Sequence, residues 1–252
     1  MTYLGHSTVL LDLPRGRLLT DPVLRSRVGF LRRFAPPPGA EAREGLGAVL
    51  VSHVHHDHLD RASLRMLGRG TPVVAPRGTR RLLRGSRIGP VTEMLPGETA
   101  QVGGITLRAT PAAHVTTRLP AGRRLPAVGY VIEDGLRAYF AGDTDLFPEM
   151  RAIGDAGLDL ALLPIAGWGP RVPPGHLDPL RAAQALALLR PALAVPIHWG
   201  TLAPVWQRGD RAHHDAAVAA FVRAAAGVVP DVEVCVLAPG ETLALPPPAA
   251  RD

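Results

Sequence analysis

The stretch Ser52-His53-Val54-His55-His56-Asp57-His58-Leu59-Asp60 follows directly on the apolar run Ala48-Val49-Leu50-Val51. A short continuous apolar run bounded by polar residues reads as a buried strand. Its end delivers His53, His55, Asp57 and His58 together at the rim of a sheet. Imidazole suits zinc, iron or manganese, and a carboxylate adds a hard oxygen that helps to hold a second cation. The stretch alone is therefore compatible with two metals.

Outward from it the same pattern recurs. Ile105 to Thr110 alternates like a half-buried strand and leads into Pro111-Ala112-Ala113-His114. Gly129–Glu133 and Leu136–Ala141 read as a hairpin around Asp134-Gly135, a favoured two-residue turn, and the second strand runs into Gly142-Asp143-Thr144-Asp145. Leu158 to Pro164 reads as a buried strand before a loop that holds Trp168 and His176, and the strand Leu193 to Pro196 ends in Ile197-His198-Trp199-Gly200. Five strand ends, after Val51, Thr110, Ala141, Leu163 and Val195, are followed by loops. Four of those loops carry His or Asp within a few residues, so the candidate ligands converge on one edge.

The remaining segments frame that edge. Tyr3 to Leu13 reads as one strand, Pro14-Arg15-Gly16 as a turn, and Arg17 to Thr20 as a strand that pairs back and ends at Asp21-Pro22. His6, alone beside Gly5, reads as a packed or hydrogen-bonded residue and not as a ligand. Residues 25–44 are basic and proline-rich through Arg32, Arg33 and Pro36-Pro37-Pro38, which excludes a regular helix or a central strand. A loop of this length serves as a lid, a binding rim or a plain excursion. Asp60 is placed to cap a helix from Arg61 to about Leu67, followed by a short strand at Val73-Val74, a helix from Thr79 to Arg84 and a strand near Val91. Asp178-Pro179 opens a helix that runs to Leu189, with proline at its first turn. Val232 to Leu237 reads as a late strand in which Cys235 is a small buried apolar residue.

Composition bounds the class. A chain of 252 residues with 46% hydrophobic content can bury a sizeable core, and one domain over residues 1–245 is expected, with 246–252 as a flexible tail because Pro246-Pro247-Pro248 and small residues pack poorly. The single cysteine excludes an intrachain disulfide and a thiolate metal cluster. The N-terminus lacks the charged and apolar regions of a secretory signal, and no run approaches the roughly 18 apolar residues that a membrane span needs. A soluble, cytoplasmic protein is expected. The net charge of +6 and a pI near 10.7 raise nucleic acid or an anionic membrane as partners. Yet every basic residue is Arg, in the company of abundant Ala, Gly and Pro, as a GC-rich coding sequence would specify. No run of Arg alternates with aromatics as a single-strand binding surface would, and the scattered arginines read as a solvated surface.

The motifs His53-Val54-His55-His56-Asp57-His58, the later His114, Asp143 in Ala141-Gly142-Asp143-Thr144 and His198 in Ile197-His198-Trp199-Gly200, in that order, resemble the metallo-β-lactamase superfamily along nearly the whole chain. The resemblance implies an α/β fold, a four-layer αββα sandwich of two mixed β-sheets flanked by helices. Within that superfamily, Leu4-Gly5-His6-Ser7-Thr8, Leu19-Thr20-Asp21-Pro22, Gly175-His176-Leu177-Asp178-Pro179 and Ile197-His198-Trp199-Gly200-Thr201 are similar to the branch of N-acyl phosphatidylethanolamine phospholipase D and the L-ascorbate-6-phosphate lactonase type. Those enzymes act on a phosphodiester and a lactone.

Carried over residue by residue, the resemblance implies that His53, His55 and His114 hold one metal, that Asp57, His58 and His198 hold a second, and that Asp143 bridges them. Zinc is the first choice for two divalent ions, with manganese or iron also suited to the mixed donors. Two bridged cations about 3.5 to 4 Å apart share a water and lower its pKa from about 15.7 towards 7, so the implied reaction is hydrolysis of a small ester, lactone or phosphodiester by a metal-bridging hydroxide. Asp57 would orient the nucleophile as well as ligate. His176 would face the metals from the substrate side and donate a proton to the leaving group or bind the oxyanion. Asp21, Asp60 and Asp145 are candidates to fix the imidazole tautomers, although a cap or turn accounts for each as readily. Arg25, Arg32, Arg33, Arg118 and Arg171 flank the motifs and could bind phosphate bidentately; Trp168 and Trp199 could wall the pocket or simply pack.

The chain starts almost at the first motif and carries no amphipathic anchor. The expected partner is a small-molecule substrate, with no nucleic acid and no stable membrane anchor, and homo-oligomerisation is left open. The alternatives are a metal-dependent nuclease or a non-catalytic regulatory module that retains the fold. Complete ligands favour the enzyme, and no additional nucleic-acid domain is evident.

Overall fold

The computed structural model describes residues 1–117, 124–169, 171–207 and 212–245. The chain opens with β1 (Thr2–Gly5), β2 (Thr8–Leu13), β3 (Gly16–Thr20), β4 (Arg27–Val28), β5 (Leu31–Arg33) and β6 (Leu46–Leu50). Then come α1 (Arg61–Met66), β7 (Val73–Pro76), α2 (Thr79–Leu83), β8 (Val91–Met94), β9 (Thr99–Val102), β10 (Ile105–Pro111), β11 (Thr116–Thr117) and β12 (Arg124–Leu125). The second half holds β13 (Val128–Asp134), β14 (Leu136–Phe140), α3 (Met150–Asp155), β15 (Leu160–Pro164), α4 (Pro179–Leu189), β16 (Leu193–Ile197), β17 (Leu202–Pro204), α5 (Ala212–Val228) and β18 (Glu233–Val234).

Two mixed sheets result, one in the order β1-β2-β3-β6-β7-β8 and one in the order β18-β16-β15-β14-β13-β10-β9. The period of two along the strands explains why the first sheet is buried on both faces. Val9, Leu11 and Leu13 of β2, Leu18 of β3, Ala48 and Leu50 of β6 and Val74 of β7 join the large inter-sheet core. Their neighbours Leu10, Leu19, Val49, Val73 and Ala75 point the other way, into a smaller core with Leu64 of α1 and Leu83 of α2. On the outer side of the second sheet, Met150 and Ile153 of α3, Ala182, Leu186 and Leu189 of α4 and Phe221 of α5 complete the fourth layer. The architecture is the expected αββα sandwich.

Several local expectations are corrected. Tyr3 to Leu13 is not one strand: β1 and β2 are antiparallel and separated at His6-Ser7, where His6 takes a left-handed φ of 58°. Residues 25–44 are not merely a loop, because β4 and β5 pair with β17 in a small three-stranded sheet, and Ala40–Arg43 forms a 3-10 turn. The β13–β14 ladder closes on Asp134 opposite Leu136, leaving only Gly135 between them. Cys235 is half-buried rather than buried, because β18 stops at Val234 at the edge of its sheet. The helices α3 and α5 and the strands β9 and β17 carried too little apolar periodicity to be read. In α5 long stretches of Ala favour helix intrinsically while only His214, Phe221 and Ala225 are buried. The tail 246–252 and Arg118 lie outside the described residues.

Candidate metal centre

Four strand ends build the site. The segment after β6 supplies His53, His55, Asp57 and His58; the turn after β10 supplies His114; the turn after β14 supplies Asp143; and the end of β16 supplies His198. Gly142 makes the Asp143 turn possible: it adopts φ +60°, and a Cβ there would stand 2.3 Å from Ser52 Cβ. Only glycine accepts both the left-handed backbone and that approach.

The side chains fall into sets whose ligand atoms lie within 4.8 Å of one another. In one set, His55 Nδ1 is 3.0 Å from His53 Nε2 and 3.2 Å from His114 Nε2. In another, Asp57, His58 and His198 converge together with His6. Asp143 lies between the sets: its Oδ2 is 3.2 Å from His58 Nε2 and 3.8 Å from His53 Nε2, and its Oδ1 is 3.3 Å from His198 Nε2. All seven residues singled out in the sequence lie in this one cluster.

The opposite edges of four of the rings are anchored. His53 Nδ1 lies 3.0 Å from Ser52 Oγ, His114 Nδ1 is 2.8 Å from the Gly175 carbonyl, and His198 Nδ1 is 2.8 Å from the Ala166 carbonyl. His58 Nδ1 is held by Asp21 Oδ2 at 2.7 Å. Such partners fix tautomer and orientation so that Nε2 faces inward. Asp21 also accepts from the Ser52 N–H and hydroxyl, so one buried carboxylate supports His58 directly and His53 through Ser52. Of the three carboxylates considered, only Asp21 does this. Asp60 accepts from the Ala62 and Ser63 amides as the cap of α1 and takes a bidentate contact from Arg25, and Asp145 pairs with Arg181.

The inward-facing atoms fit a cation. His58 Nε2, His198 Nε2 and Asp143 Oδ1 are buried polar atoms with no hydrogen-bond partner, a costly state for a folded protein and the one that a Lewis acid relieves. Burial lowers the His53, His55 and His114 pKa values, His55 to about 4, which leaves neutral imidazoles ready to ligate. Burial opposes charge on Asp57 and Asp143 too, yet the surrounding histidines hold both well below the usual carboxylate range. His58 goes the other way, because Asp143, Asp57 and Asp21 outweigh its desolvation and raise it well above the ordinary histidine value.

Two partners of Asp57 escaped the sequence reading. Trp168 Nε1 donates to Asp57 Oδ2 at 2.8 Å, so Trp168 does more than wall the pocket or pack. His6 Nε2 lies 3.0 Å from the same oxygen, and burial drives the His6 pKa down to about 3, so a neutral imidazole donates this bond. Trp199 packs, stacked on Tyr3 with its N–H on the Pro196 carbonyl. His176 Nε2 stands 3.3 Å from Asp143 Oδ2; burial disfavours its charge, but the Asp143 contact prevails and raises its pKa. Arg25 and Arg33 are not free to bind phosphate, since Arg25 is committed to Asp60 and Arg33 is buried on the Val23 and Leu4 carbonyls.

Residues 16–199 match the Beta-lactamase superfamily domain. The chain is 37% identical over 253 residues to a UPF0173 metal-dependent hydrolase of Deinococcus radiodurans, covering 96% of this chain and 97% of that protein. It is 33% identical over 225 residues to N-acyl-phosphatidylethanolamine-hydrolyzing phospholipase D 1 of Caenorhabditis elegans, covering 79% of this chain but only 63% of that longer protein. In three dimensions it resembles a metallo hydrolase from Ignicoccus hospitalis with a TM-score of 0.72 at 24% identity, covering 96% of each chain.

Proposed function

The chain belongs to the metallo-β-lactamase superfamily as a metal-dependent hydrolase, and from that premise we propose that it holds two divalent cations, zinc first, and hydrolyses a small soluble ester, lactone or phosphodiester in the cytoplasm. The observation that carries this reading is Asp143 standing between two donor sets, with its Oδ1 and the Nε2 atoms of His58 and His198 buried without a hydrogen bond. His53, His55 and His114 would hold one ion, Asp57, His58 and His198 the other, and Asp143 both. When bound, such ions supply a nucleophilic water of lowered pKa and a Lewis acid for the developing oxyanion.

The protein's own groups supply the rest. His6 and Trp168 both donate to Asp57 Oδ2, which keeps that carboxylate ionised and aimed. His176, with a raised pKa and a partly open position beside Asp143, is suited to protonate a leaving group at Nε2. A nuclease would draw on the basic charge, but Arg25 and Arg33 are already engaged, which favours a small molecule over nucleic acid. No helix among the described residues is long and apolar enough to cross a membrane.

Metal analysis of the purified protein, paired with assays on a lactone and on bis-p-nitrophenyl phosphate, tests the proposal. Two metals per chain and turnover of one substrate class are expected. Fewer than about one metal per chain after reconstitution with zinc or manganese would sink it.

A further inference from the structure

With aromatic residues only 4% of the chain, most of the large rings are spent on the core: seven of the eleven Phe, Tyr and Trp residues are buried, Tyr3, Tyr130, Tyr139, Phe140 and Phe221 fully so. Against that economy, Phe30 is 44% exposed and Trp206 69% exposed, and they stack on one another at 5.3 Å and 18°. The small sheet holds them there. Phe30 sits in the turn between β4 and β5, Trp206 follows β17, and the Val205 amide donates to the Phe30 carbonyl. The pair is continuous with the metal centre, because Phe30 meets Trp168 edge-on at 5.4 Å and 80° while Trp168 Nε1 is bonded to Asp57.

We propose that Trp206, Phe30 and Trp168 form a shelf that binds an aryl substituent of the substrate and so sets specificity. This rests on the hydrolase reading above and names the kind of substrate. Exposed apolar surface held in place beside a polar centre is characteristic of binding sites. Rigid rings bind a flat group at small entropic cost, through offset or edge-to-face contacts. Trp206 presents most of its surface to solvent, and Trp168 ties the other end of the row to Asp57.

The test uses the full-length, zinc-loaded protein and two non-hydrolysable probes, phenylphosphonate and methylphosphonate, with Kd measured by calorimetry. The parent is expected to prefer the phenyl probe by roughly tenfold, the scale of one good aromatic contact. Trp206→Ala and Phe30→Ala should each reduce that preference to about twofold or less, and Trp206→Phe should restore most of it. Equal affinities in the parent, or a preference that survives both alanine variants, would overturn the shelf. So would a change of oligomeric mass on Trp206→Ala in sedimentation, which would make the row an interface between copies. Absence of turnover on every ester, lactone and phosphodiester would count against the hydrolase reading alone, because the phosphonate comparison does not depend on turnover.

Discussion

Asp21 Oδ2 and His58 Nδ1 lie 2.7 Å apart in a fully buried contact, and the same carboxylate receives the hydroxyl of Ser52, which in turn contacts His53. One residue, 32 positions before His53, therefore orients imidazoles in both donor sets. Asp21→Asn should weaken metal binding by about 10- to 100-fold, the usual cost of losing such a partner. Chelator competition would show it, and an unchanged affinity would remove Asp21 from this role.

Trp168→Phe keeps a ring beside Phe30 but removes the donor to Asp57. A hydrogen bond to a charged group is worth about 1.5 to 3 kcal/mol, so kcat/KM should fall by about tenfold or more while metal stoichiometry stays at the parent value. A change below twofold would mean that Asp57 needs no help from Trp168.

His176→Ala should retain the parent's metal content and lose activity according to the leaving group. For an alkoxide leaving group kcat/KM should drop by about 10²- to 10⁴-fold, the span of general acid catalysis, and for p-nitrophenolate, which departs unprotonated, far less. Equal losses on the two substrates would argue against proton donation at Nε2.

The contrast between His58 and the trio of His53, His55 and His114 predicts how metal loading depends on pH. His58 is raised well above 6.5 in the metal-free protein, where burial is outweighed by Asp143, Asp57 and Asp21. A proton there competes with the cation, so binding to the Asp57, His58 and His198 set should strengthen as pH rises above 6.5. His53, His55 and His114 are lowered and should bind evenly across the same range. Stability of the metal-free protein runs the opposite way: a raised folded pKa stabilises fully below the unfolded value and is lost as pH climbs through the folded one. Metal titrations and urea melts between pH 6 and 9 would test both trends, and metal affinities that keep the same ratio throughout would contradict the assignment.

Gly142→Ala should disturb the Asp143 carboxylate from behind. The left-handed φ and the approach to Ser52 together predict a loss of about 2 to 4 kcal/mol. Thermal melting and metal content should both fall; a variant with parent-like values would show that the turn relaxes without cost.

The sequence by itself determined the strands that end in ligands, since continuous apolar runs followed at once by His or Asp can be read without knowing what packs where. Its motifs also carried the resemblance that points to His53, His55, Asp57, His58, His114, Asp143 and His198, and the fold brings those residues into one cluster. Asp60 as the cap of α1 and Asp178-Pro179 as the start of α4 were legible for the same reason: the signals that open a helix lie within a few residues of its first turn. Only the tertiary structure decided which groups hold those ligands. Asp21 on His58, Trp168 and His6 on Asp57, and the Ala166 and Gly175 carbonyls on His198 and His114 are contacts between segments distant in the chain, and backbone carbonyls carry no signature in a sequence. The same holds for the Phe30 and Trp206 pair, which exists because β17 pairs with β5. Side-chain chemistry names a ligand locally, whereas its orientation depends on whatever the fold brings to its far side.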